Sequence, residues 1–186
     1  MRIVVLFGSE MGTAEKVAEN IAAEMSGHEV TVADMSEFDI TGLDTASFHI
    51  IVCSTYGAGD LPTGAEPFFE TLEAHRPDLH GLRFAVFGLG DSVYDNTFNR
   101  GGEIAAAKLT ALGGIQIGEH ARHDASTDIA PAAMGREWAR SLEIAAEQHY
   151  RATTERTRKT QDRMVQQVTE GLDESVREQL YADIRK

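Results

Sequence analysis

The chain opens with the stretch Ile3-Val4-Val5-Leu6-Phe7-Gly8-Ser9-Glu10-Met11-Gly12-Thr13-Ala14-Glu15, an apolar run that leads directly into a turn containing glycines and hydroxyl groups. An uninterrupted apolar run that ends at a glycine is typical of a strand buried on both faces of a sheet. Val17, Ile21 and Met25 then recur at steps of four residues, which predicts a helix over residues 13–25. A buried strand, a short turn and a helix in this order indicate the start of a parallel α/β sheet.

Strand-like and helix-like segments alternate through most of the remaining chain. Further strands are predicted at residues 29–33, 48–54, 82–88 and 115–118, and further helices at residues 66–75, 101–112 and 131–150. The acidic stretch 35–47 is irregular, and we expect a loop or a poor helix there. The alternation predicts a parallel sheet that is covered by helices on both sides.

Two further loops follow predicted strands in the same way as the first. They are Ser54-Thr55-Tyr56-Gly57-Ala58-Gly59-Asp60 and Gly88-Leu89-Gly90-Asp91-Ser92-Val93-Tyr94. Loops that leave the carboxyl ends of parallel strands converge on one edge of the sheet, and ligands bind there. We therefore expect the first loop (residues 8–15), the second loop (54–60) and the third loop (88–94) to form a single site.

The first loop has the features of a phosphate site. A helix that begins near Thr13 presents free backbone N–H groups and a partial positive charge, which favour an anion. Ser9 and Thr13 add hydroxyl donors, and Gly12 lets the backbone approach a phosphate closely. No lysine follows, so the loop is not a nucleoside triphosphate P-loop, and it also lacks the spaced glycines of a dinucleotide site. The alternative is a plain turn between strand and helix with Thr13 as its cap.

The second and third loops each place a tyrosine among glycines. Tyr56 and Tyr94 can stack on a flat ring, and the glycines beside them allow close backbone contact with it. Taken singly, each loop also fits an ordinary glycine-rich turn. Together with a phosphate loop, the three loops predict a site for flavin mononucleotide (FMN).

Composition and charge limit the classes of function. The chain has 186 residues and a net charge of −13, which argues against nucleic-acid binding. Its single cysteine, Cys53, rules out a disulfide framework within one chain and a cysteine metal cluster. We expect Cys53 to be a small core residue rather than a nucleophile, and we expect the seven histidines to lie at the surface, since none has a strong metal-ligand spacing. No secretory signal or membrane-spanning run is apparent, so a cytoplasmic protein without a membrane partner is expected.

The charge is divided unevenly along the chain. Residues 1–150 contain 9 Lys and Arg against 23 Asp and Glu, a net charge of −14, whereas residues 151–186 have a net charge of +1. We therefore predict an acidic domain at 1–150, followed by an extension at 151–186 that begins with a polar linker at 151–162. Residues 163–184 of the extension are predicted to be helical and packed on protein, because an apolar stripe recurs every three or four residues at Val165, Val168, Leu172, Val176 and Leu180. The stripe would pack against the chain's own body, against a second copy of the chain in a self-association, or against a redox partner, and the alternative is a partly disordered tail.

The three loop motifs also carry a family resemblance that covers about four fifths of the chain. The patterns Gly8-Ser9-x-x-Gly12-Thr13-Ala14-Glu15, Ser54-Thr55-Tyr56-Gly57-x-Gly59-Asp60 and Phe87-Gly88-Leu89-Gly90-Asp91-Ser92-x-Tyr94 resemble the flavodoxin-like FMN domains of cytochrome P450 reductase and sulfite reductase. Residues 1–150 also resemble MioC-type short-chain flavodoxins in length. The resemblance implies a flavodoxin-like three-layer sandwich with a five-stranded parallel sheet in the order 2-1-3-4-5, a helical C-terminal extension, and FMN as cofactor.

The resemblance also implies which residues contact FMN. The phosphate is assigned to Ser9, Glu10, Met11, Gly12, Thr13 and Ala14. The faces of the flavin ring are assigned to Tyr56 and Tyr94, and the backbone around it to Ser54, Thr55, Gly57, Ala58 and Gly59, with the Gly57 carbonyl accepting a hydrogen bond from the ring. The far edge of the ring and the ribityl chain are assigned to Gly88, Leu89, Gly90, Asp91, Phe98 and Asn99.

Two positions depart from the family pattern. Met11 stands where the phosphate loop usually has threonine, which removes one hydroxyl donor. An extra residue lies between Tyr94 and the Phe98-Asn99 pair. The first departure predicts weaker FMN binding, and the second leaves the contact of Asn99 with FMN open.

The predicted function is that of an FMN-dependent electron carrier. Its donor would be an NAD(P)H-dependent flavin or ferredoxin-type reductase, and its acceptor a redox protein such as a P450, a radical enzyme or a haem oxygenase. An NAD(P)H-dependent FMN or quinone reductase is one alternative. The sequence favours an electron carrier over such a stand-alone enzyme but leaves both open. A regulatory module that has lost FMN is a second alternative.

Overall fold

The computed structural model describes residues 1–169, with side chains described through residue 167. The chain divides into two compact units, Met1–Ala146 and a second unit that begins at Glu147. The first unit holds the sheet and the three predicted loops. We describe each unit separately.

The first unit is built on a parallel sheet. The strands are β1 (Arg2–Gly8), β2 (Glu29–Asp34), β3 (Ser47–Ser54), β4 (Arg83–Gly90), β5 (Ile115–Gln116) and β6 (Ala121–Asp124). Their order is β2-β1-β3-β4-β5, and every pairing is parallel. The central strand β3 is buried along nearly its whole length, which explains its continuous apolar sequence. The predicted order 2-1-3-4-5 is confirmed.

Helices cover both faces of this sheet. They are α1 (Thr13–Glu24), α2 (Glu66–His75), α3 (Arg100–Ala111) and α4 (Pro131–Thr169). Helix α1 and the first part of α4 pack on one face through side chains such as Val17 and Leu142. Helices α2 and α3 pack on the other face through side chains such as Phe69 and Leu109. The three-layer sandwich predicted from the sequence is confirmed.

The fifth position in the sheet differs from the sequence prediction. We predicted one strand at 115–118, but two short strands share the place beside β4. Strand β5 pairs with the start of β4, and β6 pairs with its end, from Phe87↔Ala121 to Gly90↔Asp124. Gly118 interrupts them with a left-handed backbone (φ 73°) that cannot continue a strand. The missed strand β6 matters because it brings a fourth chain segment to the carboxyl edge of the sheet.

The second unit was only partly anticipated. Residues 151–162, predicted to be a polar linker, lie within α4 and are helical. The pairs Arg151–Glu147 and Lys159–Glu155, four residues apart at 3.4 and 2.8 Å, favour helix in this polar stretch. The predicted helix at 163–184 is present through residue 169, and the rest of that prediction lies outside the described residues. Through residue 169, no helix is both long and apolar enough to cross a membrane.

Two histidines contradict the expectation of a surface location. His49 on β3 is fully buried, and burial lowers the pKa of its imidazole. His123 on β6 is only 4% exposed. Both side chains are buried because helices and neighbouring strands cover β3 and β6. Strand β6 is too short for its sequence periodicity to predict this burial.

Candidate functional site

A cavity of about 770 Å³ opens at the carboxyl edge of the sheet. It lies where the ends of β3, β4 and β6 meet the start of α1. Of the residues assigned to FMN from the sequence, the cavity is lined by Thr13, Ser54, Thr55, Tyr56, Gly57, Leu89, Gly90, Asp91 and Tyr94. The structure therefore brings all three predicted loops to one place, as expected from the parallel sheet.

The first loop presents backbone donors at the start of α1. Gly12 precedes the helix with a left-handed backbone (φ 81°), and Ala14 N–H donates to Ser9 Oγ at 3.3 Å. The N–H groups of Met11, Gly12 and Thr13 have no acceptor within the described part of the chain. Unpaired amides at a helix N-terminus form a natural anion site. The donor set at this loop therefore fits a phosphate group.

Other side chains of the first loop point elsewhere. Met11 is 91% exposed, so its side chain adds nothing to the cradle of amides. Glu10 accepts hydrogen bonds from the amide and the hydroxyl of Thr63, both at 3.0 Å. Neither Met11 nor Glu10 lines the cavity. Of these two residues, only the backbone is left as a candidate for phosphate binding.

The second loop is a tight turn closed by its own backbone. Tyr56 and Asp60 exchange two hydrogen bonds of 3.0 and 2.8 Å, and Gly57 and Gly59 take positive φ angles of 52° and 96°. Thr55 Oγ1 accepts a hydrogen bond from the amide of Gly101 at 3.1 Å, which joins this loop to α3. Tyr56 stays 51% exposed at the cavity. The turn thus holds an aromatic ring and the Gly57 backbone at the cavity wall.

The far side of the second loop is turned away from the cavity. A Cβ at Gly59 would lie 2.8 Å from the side chain of Arg100 and 3.0 Å from that of Thr97. Neither Ala58 nor Gly59 lines the cavity. Gly59 is needed for close packing on α3 and for its positive φ, which is a structural reason for the glycine.

The third loop supplies the second tyrosine. Asp91 caps a short 3-10 helix (Ser92–Thr97) by accepting a hydrogen bond from the amide of Val93 at 2.9 Å. Tyr94 follows within this helix and is 67% exposed, and it lines the cavity together with Thr97. Tyr56 and Tyr94 therefore belong to the same cavity, as the sequence predicted.

Asn99 lies behind the cavity rather than in its lining. It is fully buried with a left-handed backbone (φ 58°), and its Nδ2 donates to the carbonyl of His123 at 3.0 Å. A Cβ at Gly90 would lie 2.6 Å from the Asn99 amide nitrogen, and one at Gly88 would collide with the Asn99 side chain. Gly88 and Phe98 also do not line the cavity. Both glycines of the third loop make room for Asn99, and Gly90 also lines the cavity.

A fourth loop completes the cavity, and the sequence analysis did not find it. It runs from β6 to α4 and contributes Ala125, Thr127, Asp128, Ile129, Ala130 and Pro131, with His123 beside it. The available signal was the sequence Ala125-Ser126-Thr127, a run of small and hydroxyl residues, but it follows a strand that was not predicted.

Carboxylates dominate the charge at this edge. Asp91 and Asp128 are the charged residues among the lining side chains, and no lysine or arginine is included. Asp124 accepts hydrogen bonds from the amides of Ser92 and Ser126, both at 3.0 Å, and the bonds from Ser92 hold the pKa of this carboxyl well below its usual range. Asp124 thus ties the third loop to the fourth loop while remaining ionised.

Two other chemistries considered from the sequence find no support at this edge. Cys53 is fully buried, and burial raises the pKa of its thiol to about 12, so it is not a nucleophile at neutral pH. Within residues 1–169, no cluster of three or more His, Cys, Asp or Glu side chains could hold a metal ion.

Comparison with known proteins agrees with this geometry. The flavodoxin family model matches residues 5–138 of the chain. The chain belongs to the flavodoxin family. Flavodoxins are electron-transfer proteins that bind FMN, and the predicted fold and cofactor are confirmed at this level.

Individual relatives include parts of larger enzymes and small single-domain proteins. The chain is 42% identical over 118 residues to the sulfite reductase [NADPH] flavoprotein alpha-component of Bacillus subtilis, covering 62% of this chain but only 19% of that protein. It is 34% identical over 117 residues to the protein MioC of Escherichia coli, covering 63% and 79%. A cysteine-to-serine mutant of flavodoxin from Pseudomonas aeruginosa has 33% identity and a TM-score of 0.69 over 78% of this chain and 97% of that structure.

Proposed function

We propose that this flavodoxin carries electrons from an NAD(P)H-dependent flavin or ferredoxin-type reductase to an acceptor redox protein in the cytoplasm. The observation that carries this proposal is the cavity at the sheet edge, which is lined by Thr13 at the start of α1 and by two exposed tyrosines, Tyr56 and Tyr94. A P450, a radical enzyme or a haem oxygenase would be a suitable acceptor.

The phosphate of FMN would be held by the first loop. The amides of Met11, Gly12 and Thr13 would donate to its oxygens, and the dipole of α1 would favour its negative charge. Thr13 adds a hydroxyl at the cavity wall. No lysine or arginine lines the cavity, so neutral donors of the first loop would hold the phosphate.

The flavin ring would lie between Tyr56 and Tyr94. When bound, FMN supplies the redox chemistry, while the protein sets its orientation and its electrostatic surroundings. Gly57, with its positive φ of 52°, lies in the cavity wall and can present its carbonyl to the ring edge as an acceptor. Tyr56 and Tyr94 are half or more exposed, so a ring between them would keep an edge that a partner protein can reach.

The charge around the cavity favours a partner with a basic face. Asp91 and Asp128 line the cavity, and residues 1–150 carry a net charge of −14. Opposite charge on a partner raises the association rate, and salt reduces this gain because it screens exposed charges over about 8–10 Å. We expect electron transfer to the correct acceptor to slow as the salt concentration rises.

Asp128→Asn provides a test of this electrostatic contribution. It should lower the second-order rate constant for electron transfer and weaken its dependence on salt. Glu70→Gln on α2, which removes one charge without touching the cavity, is the matched control. A rate constant independent of salt in the unmodified protein would contradict electrostatic steering.

The proposed function is tested by visible spectroscopy of the purified protein titrated with FMN. Tight binding of one FMN, with reduction by NADPH only when a flavodoxin reductase is added, would support a carrier. Steady oxidation of NADPH by the protein alone would instead favour an FMN or quinone reductase. A colourless protein that takes up no added FMN would overturn the proposal and favour a regulatory module.

A further inference from the structure

One wall of the cavity is made by the fourth loop, Ala125–Pro131, which runs from the end of β6 to the first residue of α4. Six of its residues line the cavity, including Thr127 and Ile129. Ile129 is 56% exposed, so burial of its side chain does little to hold the loop in place. Polar contacts must therefore fix this wall.

The start of the fourth loop is anchored on the sheet. The amide of Ala125 donates to the carbonyl of Gly90 at 2.8 Å, and Thr127 Oγ1 donates to the carbonyl of Asp124 at 2.7 Å. These bonds hold the part of the loop that directly follows β6. The next part, nearer to α4, needs a further contact.

His123 provides that contact. Its Nε2 lies 2.7 Å from the carbonyl oxygen of Ile129, and because a carbonyl only accepts, the imidazole donates. The bond spans from the sheet to the far part of the loop. It is the one hydrogen bond to the carbonyl of Ile129 from the described side chains.

His123 is itself held from two sides. It is 4% exposed and pairs with Leu89 in the register of β4 and β6. Its carbonyl accepts the hydrogen bond from Nδ2 of the fully buried Asn99. A connected path of contacts therefore runs from the start of α3, through His123, to the carbonyl of Ile129.

We propose that His123 is a positioning residue for FMN binding, whose imidazole N–H holds the fourth loop as a fixed wall of the cavity. This proposal rests on the proposed function, because it assigns FMN to the cavity. A wall fixed before the ligand arrives lowers the ordering cost of binding. His123 need not touch FMN to act in this way.

The test compares His123→Leu with His123→Gln, and uses His80→Leu as a control at an exposed histidine outside the cavity. Leucine removes the donor, whereas the glutamine amide can donate to the carbonyl of Ile129. We expect His123→Leu to raise the Kd for FMN by about three- to tenfold, the effect of one lost hydrogen bond, and His123→Gln to recover most of the affinity.

Hydrogen–deuterium exchange of the FMN-free proteins separates this inference from the proposed function. The amides of Thr127 and Ile129 should exchange faster in His123→Leu than in the unmodified protein and in His80→Leu, while β1 and β3 remain protected. Unchanged exchange in the fourth loop, or equal FMN affinity for all three variants, would overturn the proposal. If the unmodified protein bound no FMN, the proposed function would fail and so would the assigned role in FMN binding, while the exchange data would still decide the anchoring of the loop.

Discussion

Glu10 accepts two hydrogen bonds from Thr63, one from the amide and one from the hydroxyl, each 3.0 Å from Glu10 Oε2. The contact joins the first loop to the turn that leads into α2. The next residue of that turn, Gly64, packs so closely that a Cβ there would lie 2.8 Å from the carbonyl oxygen of Ser9. The loop assigned to the phosphate is thus braced from outside the cavity.

Thr63→Val tests this brace, because it removes the hydroxyl and preserves side-chain shape and net charge. We expect the Kd for FMN to rise about two- to tenfold, since one hydrogen bond that orders the first loop is lost. Quenching of flavin fluorescence on titration measures the affinity. Thr71→Val is the matched control, because its hydroxyl donates to the carbonyl of Pro67 within α2. An effect of equal size in both variants would argue against the brace.

Tyr94→Ala tests the aromatic wall of the cavity. It should weaken FMN binding by roughly 1–3 kcal/mol, through lost ring burial and stacking. Val93→Ala alters the adjacent residue, which is 74% exposed and does not line the cavity, and should leave the affinity unchanged. Equilibrium titration of both variants checks this, and an unaltered affinity of Tyr94→Ala would rule out stacking.

The parts of the fold that sequence predicted are those with long, uninterrupted patterns. Strand β3 is buried along nearly its whole length, and its apolar run was readable for that reason. The four-residue spacing of Val17 and Ile21 likewise predicted the buried face of helix α1. Because parallel strands bring their carboxyl ends together, these elements were enough to place three loops at one site.

The parts that sequence missed depend on tertiary contacts. Strand β6 has only four residues, and pairing with β4 defines it rather than its own periodicity. Without β6, the fourth loop and the burial of His123 could not be anticipated. Gly88 was assigned to the ligand because of its loop, whereas its lack of a side chain makes space for Asn99 and His120. Contacts of this kind join residues distant in the chain, and one sequence does not reveal them.

Met11 offers a gain-of-affinity prediction. Its side chain is 91% exposed and donates no hydrogen bond to the first loop. Met11→Thr adds a hydroxyl beside the unpaired amides, and we expect it to tighten FMN binding by about 0.5–1.5 kcal/mol. Valine has the shape of threonine without the hydroxyl, so Met11→Val should give no such gain. Titrations with FMN and with riboflavin show whether the gain in affinity comes from the phosphate, because only FMN has the phosphate that the hydroxyl would reach.

The burial of His120 predicts how the free energy of unfolding changes with pH. Its ring packs between Gly88 and Gly102, with Nε2 2.5 Å from a Cβ placed at either glycine. Burial, with a smaller effect from the nearby Arg122, lowers the pKa of His120 to about 4. Below the unfolded pKa of about 6.5, the unfolded chain takes up a proton that the folded protein resists.

The stabilisation from neutral His120 is therefore present above about pH 6.5 and is lost as the pH falls towards 4. Because the ring is partly exposed, we expect a loss on the order of 1–2 kcal/mol. Urea unfolding of the FMN-free protein between pH 7.5 and about 4.5 measures it. His120→Gln cannot titrate, so its destabilisation relative to the unmodified protein should shrink as the pH falls. A destabilisation of His120→Gln that is constant across this pH range would show that His120 does not remain neutral in the folded protein.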